Sequence, residues 1–274
     1  MEQLKSILGW ANTKDNIRVL ILTGSLAGKG KKDVWSDYDL AVFGREFSFI
    51  ENDHWLKEIG EYWVCIHDHF YFENYKIPTR LTIFNATLKV DFSFHPLELL
   101  QKMTVKLPDA YNIGYAVLLD KDGLTDRLPR PTYEGFLLQK PTPDEFEKNI
   151  REFFFEVYHV AKYLIRDDLW TAKLRDLAAK EWLRQMLEWQ EASKRNWNFS
   201  PKNDGKGMKD WLDGTVWPEL ERCFGKFNRM DGKQSLENTI HLFKKTASET
   251  AQKLNFHYNR KLDENVLKFV EEIK

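Results

Sequence analysis

The chain has 274 residues, 42% of them apolar and 30% charged, a globular composition that excludes collagen-like and low-complexity classes. Lysine and arginine number 41 against 42 aspartate and glutamate, a formal net charge of −1. That balance counts against a grip on long nucleic acid, where affinity comes from neutralising phosphates.

No apolar run approaches the ~18 residues of a transmembrane helix, so no membrane partner is expected. The opening MEQLKSILGW does not read as a signal peptide. Cys65 and Cys223 stand in no ligand spacing, so the expectation is a cytoplasmic protein without structural zinc.

In chain order, a helix is expected at about 2–14, followed by a buried strand, Ile17–Thr23, ending at Gly24. Tyr38–Phe43 is a second strand, a helical patch covers 49–59, and Tyr62–Ile66, His69–Tyr75 and Arg80–Phe84 are weaker strands. Thr87–Phe94 alternates polar and apolar before Pro96, a helix covers 96–106, and Tyr115–Leu119 is a last strand. Beyond the prolines at 129, 131, 141 and 143 the pattern becomes helical: Asp144–Ile165, Leu169–Trp189, Trp217–Phe227 and Leu236–Leu254 carry apolar residues at three- and four-residue spacing. Thr142-Pro-Asp-Glu145 reads as a helix start, with Thr142 as N-cap. Asn196–Gly207 reads as a loop. The expectation is α+β: a mixed sheet domain with flanking helices over 1–140, then a helical bundle domain over 141–274.

Chemistry concentrates where Gly24-Ser25 closes the first strand and Asp37-Tyr-Asp39 opens the next. Residues i and i+2 of a strand share a face, so Asp37 and Asp39 are expected to aim two carboxylates at one spot. Such carboxylates repel unless a cation lies between them, and hard oxygen ligands suit Mg²⁺. Gly24 lets the backbone approach closely, and the N–H groups after it, with the Ser25 hydroxyl, can hold a phosphate. Asp91 sits at the centre of Lys89-Val-Asp91-Phe-Ser-Phe94, sharing a face with Lys89 and Ser93. An Asp-x-Asp alone is usually a turn or a solvated strand end. With Gly24-Ser25 before it and Asp91 after it, the set reads as a site where one oxygen attacks phosphorus while another leaves. Spacing excludes a P-loop, since no Gly-Lys is followed by Ser or Thr, and a Rossmann fingerprint, since Gly28-Lys-Gly30 leads into Lys-Lys-Asp.

Gly-Ser, Asp-x-Asp and a distal Asp together resemble the nucleotidyltransferase superfamily. Within it the chain is similar to the aminoglycoside 6-adenylyltransferases, the streptomycin-adenylylating enzymes. The likeness runs nearly end to end, through Phe49–Gly60, Lys89-Val-Asp91, Pro96-Leu-Glu, Val117–Asp122 and Lys140-Pro-Thr. It continues through Val157–Arg166, Leu183–Trp189, Gly205-Lys-Gly-Met-Lys209 and Phe227-Asn-Arg-Met-Asp231. The resemblance implies a nucleotidyltransferase-type catalytic domain, a helical substrate-binding domain, and transfer of AMP from ATP to an aminoglycoside hydroxyl with release of pyrophosphate. It implies Asp37, Asp39 and Asp91 as catalytic metal ligands for Mg²⁺, with Asp91 taking or orienting the hydroxyl proton. Gly24, Ser25, Lys206 and Lys209 are then nucleotide contacts. The family commonly carries Gly-Ser-Arg-Ala where this chain has Gly24-Ser25-Leu26-Ala27, which opens the question of nucleotide choice. Lys29, Lys31 and Lys32 are the cations near enough in sequence to replace that arginine. His95 stands where an apolar residue is expected. Another acceptor (a lincosamide, a protein hydroxyl or an RNA end) and a non-catalytic nucleotide-binding module stay as alternatives. The presence of all three acids argues against the module, and the net charge against RNA.

Glu152, Glu156, Asp167 and Asp168 could line an acidic cleft for a cationic acceptor, with Trp170 as a stacking wall, although single helical acids usually form a solvated face. His67-Asp-His69 resembles a metal-ligand pair lacking a third ligand. Asp120-Lys-Asp122 reads first as a strand-to-loop turn, and the tryptophans from Trp182 to Trp217 as helix packing.

Overall fold

The computed structural model describes residues 2–133, 136–201, 203–258 and 260–273. The chain divides into two compact units, Met1–Phe136 and Leu137–Lys274. No helix among the described residues is long and apolar enough to cross a membrane.

The first unit is built on a six-stranded sheet in the order β3-β4-β5-β2-β1-β6. The elements, in sequence, are α1 (Glu2–Thr13), β1 (Ile17–Thr23), α2 (Gly24–Ala27), β2 (Tyr38–Gly44), β3 (Val64–Phe72), β4 (Tyr75–Asn85), β5 (Leu88–Pro96), α3 (Leu97–Met103), α4 (Asp109–Asn112) and β6 (Ala116–Asp120). The aliphatic run of β1 lies between β2 and β6, antiparallel to both, and is buried on either face because each face packs into a separate core. β2 pairs in parallel with β5, whereas β3, β4 and β5 form an antiparallel meander.

Alternation along these strands separates two cores. Leu40, Val42, Val90, Phe92 and Phe94 pack with Trp10 of α1 and with Trp55, whose ring stacks on Trp10 at 4.8 Å between centroids. Val19, Ile21, Ala41 and Phe43 face the other way, toward Leu99, Leu100 and Met103 of α3 and Tyr111 of α4.

Two expectations need correction here. Tyr62–Ile66 and His69–Tyr75 are not separate strands: residues 64–72 form one continuous strand, and the chain reverses after it at Glu73, which adopts a positive φ of 51°. Its side chains are mostly exposed, so the apolar alternation that marks a half-buried strand is absent. The patch at 49–59 is two short 3-10 segments, Ser48–Glu51 and His54–Glu58. Asn52 breaks it by accepting the His54 N–H on its side chain at 3.0 Å. Asp120-Lys-Asp122 is a turn: Asp120 accepts from the Asp122, Leu124 and Thr125 N–H groups, and Lys121 donates to three carbonyls around the end of α1.

The second unit contains α5 (Pro143–Ile165), α6 (Leu169–Lys194), α7 (Met208–Trp211), α8 (Trp217–Arg222), α9 (Arg229–Leu254) and α10 (Arg260–Glu271). The Thr142–Glu145 capping box forms in full, with Pro143 in the first turn. α5, α6 and α9 share one core, centred on Phe153 stacked against Phe243 at 3.6 Å. The helix expected over Trp217–Phe227 stops at Arg222, and the next begins at Arg229 rather than Leu236. Gly225 lies in the break and must be small there, because a Cβ would lie 2.7 Å from the Asp231 carbonyl and the Ser235 hydroxyl. The expected loop Asn196–Gly207 is largely irregular, with Lys202 outside the described residues. α10 was not anticipated, although Val266, Phe269, Val270 and Ile273 carry its spacing into the core.

Candidate active site

The parallel pairing of β2 with β5 sets Asp39 directly opposite Asp91. Both alternate with core residues and so lie on one sheet face, in line with Ala41–Ser93 and Phe43–His95. Asp37 falls one residue before β2, so the expected shared strand face of Asp37 and Asp39 is not what joins the acids. Lys89 joins them instead: its Nζ donates to Asp37 Oδ2 at 3.0 Å and to Asp91 Oδ2 at 2.7 Å. Asp91 Oδ1 is buried without a hydrogen-bond partner. Gly24, at φ +65°, packs against the third carboxylate, and a Cβ there would lie 1.9 Å from Asp39 Oδ2. That contact and that backbone conformation both require glycine.

Partial burial works against the charge on Lys89, but its bonds to Asp91 and Asp37 outweigh it, and its pKa stands above the ordinary lysine value. Next along the face, Ser93 donates its hydroxyl to the Leu40 carbonyl at 3.3 Å, and His95 Nε2 lies 2.9 Å from the same Oγ. With the serine proton committed to Leu40, the imidazole Nε2–H is the donor. Burial holds His95 neutral by pushing its pKa down to about 4, and its ring stacks on Phe43. A cavity of about 510 Å³ opens over this row, lined by Asp39, Asp91, Ser93 and His95 on one side and by Phe70, Leu99 and Tyr111 on others. Its walls are mainly apolar, as in small-molecule clefts.

Three carboxylates, one with a buried and unsatisfied oxygen, are the donor type a hard divalent cation takes, so these residues fit Mg²⁺. They are not drawn together into one ligand set. Among the described residues the group whose donor atoms all lie within 4.8 Å of one another is Asp53, Cys65 and His67. There His67 Nε2 lies 2.8 Å from Asp53 Oδ1, and Thr82 donates to Cys65 Sγ at 3.5 Å. His69 lies outside that group, so the His67-Asp-His69 spacing was not the relevant one. Cys65 and His67 share β3, and Asp53 comes from the bend between the two 3-10 segments.

Ser25 lies in α2 beside Gly24 and is half-buried. Leu26 is half-buried and packs against the α1-side core. Lys29 extends over the Tyr133 ring at 4.0 Å.

The remaining sequence candidates belong to the helical unit. Lys206 and Lys209 are exposed, and Lys209 lies 5.4 Å from the Trp217 ring. Glu152 is half-buried on α5, Asp168 is exposed just before α6, and Trp170 is 74% exposed. Glu156 differs from them: it is buried and paired with Arg175 at 3.2 Å. Lys89 and His95 are what sequence reasoning undervalued. Lys89 was legible as a face-mate of Asp91, but its span to Asp37 depends on where β2 begins.

A family model described as streptomycin adenylyltransferase matches residues 1–273. An aminoglycoside 6-adenylyltransferase of Campylobacter jejuni is 29% identical, over 92% of this chain and 88% of the relative. One of Bacillus subtilis (strain 168) is 27% identical, over 99% of this chain and 96% of the relative. Among solved structures, an aminoglycoside 6-adenyltransferase from Bacillus subtilis aligns over 100% of this chain and 98% of its own, at 24% identity and a TM-score of 0.49.

Proposed function

The chain belongs to the streptomycin adenylyltransferase family, and we propose that it transfers AMP from ATP to a hydroxyl of an aminoglycoside, releasing pyrophosphate. The observation that carries this reading is the register pairing of Asp39 with Asp91 on one sheet face, with Gly24 backed against Asp39.

In the reaction the acceptor oxygen bonds to the α-phosphorus, the bond from the α-phosphorus to the α–β bridging oxygen breaks, and pyrophosphate departs carrying the bridging oxygen. Asp37, Asp39 and Asp91 would hold Mg²⁺, which when bound supplies charge neutralisation at the phosphates. Asp91 would accept or orient the proton of the acceptor hydroxyl. Gly24 and Ser25 would cradle the β and γ phosphates through backbone N–H groups and the Ser25 hydroxyl. The apolar cavity beside the carboxylates would exclude water around the reacting groups. No covalent enzyme intermediate is needed, because positioning and charge neutralisation suffice.

Residues 1–140 would form the catalytic domain and 141–274 the substrate-binding domain. In the latter, Lys206 and Lys209 would contact phosphate. Glu152, Glu156, Asp168 and Trp170 would contact a cationic acceptor.

An acceptor panel tested with ATP, GTP, CTP and UTP, read by pyrophosphate release and by the mass of the acceptor, checks the proposal. Streptomycin with ATP should release pyrophosphate and gain one AMP. Absence of release with every aminoglycoside would sink it, as would release that leaves the acceptor unmodified.

A further inference from the structure

We propose that Lys89 is a built-in counter-cation that holds the resting carboxylate site closed to free divalent metal, so that metal enters together with the nucleotide triphosphate. The inference rests on the carboxylate site proposed above and concerns how that site is loaded.

Three observations carry it. Lys89 Nζ bridges Asp37 Oδ2 and Asp91 Oδ2 at 3.0 and 2.7 Å, occupying with one ammonium the oxygens that two metal ligands would present. Asp37, Asp39 and Asp91 are not among the described groups whose donor atoms converge within 4.8 Å. A ligand set therefore forms only when the side chains rearrange around something other than this lysine. Finally, the Lys89 side chain is only 35% exposed, on the same face as Asp91, so it cannot simply coexist in water with an arriving cation.

A metal ion entering alone must break two charge-assisted hydrogen bonds and then sit beside the ammonium it displaced. It competes, moreover, with a donor tethered to the sheet and always present at high effective concentration. A triphosphate changes the balance, because its oxygens give the displaced ammonium new acceptors and supply further ligands to the metal. Lysine suits this exchange. Its charge sits on a flexible stem with three rotatable donors, so it can change partners without moving the strand. By linkage, nucleotide and metal should then bind with positive coupling, and Lys89 should be a source of that coupling.

The test measures binding of Mn²⁺, a spectroscopic substitute for Mg²⁺, to the full chain by the EPR signal of the free ion, with and without ATP and without acceptor, after subtracting the Mn²⁺ that ATP takes up in protein-free controls. Wild type should bind Mn²⁺ alone weakly and gain strongly on adding ATP. Lys89→Met should bind Mn²⁺ alone at least tenfold more tightly and gain less from ATP. Lys89→Gln, nearer in polarity, guards against a folding defect and should behave like Lys89→Met, whereas Lys89→Arg should stay close to wild type. A lysine that merely braces the carboxylates predicts the reverse, weaker Mn²⁺ binding in both neutral variants. That result, or unchanged affinity in both, overturns the proposal. Pyrophosphate release by the wild type on the same preparation separates the two levels. If the wild type turns over and the neutral variants bind Mn²⁺ no better, only the role of Lys89 fails. If the wild type binds no Mn²⁺ even with ATP, the carboxylate site itself is wrong.

Discussion

The two units bury charge in opposite ways. In the helical unit the described buried acids each meet a base or a hydroxyl: Glu156 pairs with Arg175, Asp176 with Lys180, Glu188 with Arg184 (which also holds Glu181), Glu191 with Lys194 and Arg195, and Asp263 with Tyr258. Several of these pairs are three or four residues apart on one helix, where side chains meet by geometry alone. In the sheet unit two acids, Asp37 and Asp91, share a single lysine, Asp39 stands opposite Asp91 across the strand pair, and one Asp91 oxygen is buried with no hydrogen bond. The first pattern is mostly paired within the unit. The second leaves two carboxylates sharing one ammonium beside a third acid, an arrangement that a cationic ligand would complete. Position within the fold, rather than residue type, is what sets apart the acids proposed for the site.

The sharpest way to break this contrast is one Asp-to-Asn change in each unit. Asp91→Asn and Asp39→Asn should lower turnover on the order of a thousandfold or more, several kcal/mol of transition-state stabilisation. In EDTA Asp39→Asn should melt at or above wild type, and Asp91→Asn, which gives up one bond from the partly exposed Lys89, no more than slightly below it. Asp176→Asn should do the opposite. It strands the buried Lys180 ammonium, costs about 3 kcal/mol of stability, and leaves turnover per folded molecule intact. Paired melts and pyrophosphate assays read both. An Asp91→Asn protein that melts clearly lower in EDTA yet keeps activity within tenfold would put Asp91 in the structural class.

How far this contrast could be read in advance depends on the range of the interactions. The strands of the Asp39–Asp91 pair, the capping box at Thr142 and four helical segments were legible because they rest on local periodicity and local hydrogen bonds. The exposed strand β3 and the interrupted turn at 48–58 were not, since neither has the apolar period of its class. In the site, Gly24, Asp39 and Asp91 followed from composition and spacing. The bridging role of Lys89 did not, because it depends on a register between strands 52 residues apart in sequence. The pairing of Glu156 with Arg175 likewise arises between α5 and α6, so its acid could not be told from Glu152 beforehand.

A smaller effect probes a buried group on the same sheet face as the acids. His95 is held neutral, its pKa moved by burial from an ordinary 6.5 to about 4. The sign follows from proton counting. Above pH 6.5 neither folded nor unfolded chain protonates this residue, so it contributes no pH dependence. Between 6.5 and about 4 the unfolded chain takes up a proton that the folded chain refuses. Stability should therefore fall with falling pH in that window, by up to ~1.4 kcal/mol per pH unit. In denaturant titrations at stepped pH, His95→Leu should lose that increment of slope relative to wild type. Equal slopes would mean that the imidazole protonates readily in the folded protein and is not sealed beneath the cavity.

The smallest expected effect tests whether the helical unit also holds acids that serve a ligand. Glu152 and Asp168 differ from their buried neighbours in keeping partial or full exposure, and Trp170, two residues beyond Asp168, is 74% exposed. An exposed charge pair is worth only ~0.2–1 kcal/mol, so Glu152→Gln with Asp168→Asn should raise the acceptor KM about two- to tenfold while the KM for ATP holds. Added NaCl should raise the wild-type acceptor KM in the same direction, because screening weakens pairs between a polycation and exposed carboxylates. The double variant should respond less to salt, having fewer such pairs to screen. Glu156 belongs in a separate experiment: its buried pairing with Arg175 predicts a lower melting temperature for Glu156→Gln, which would blur a kinetic reading. An acceptor KM and a salt slope that both stay at wild-type values in the double variant would place acceptor binding away from these two acids, and would leave the helical unit with self-paired charges alone.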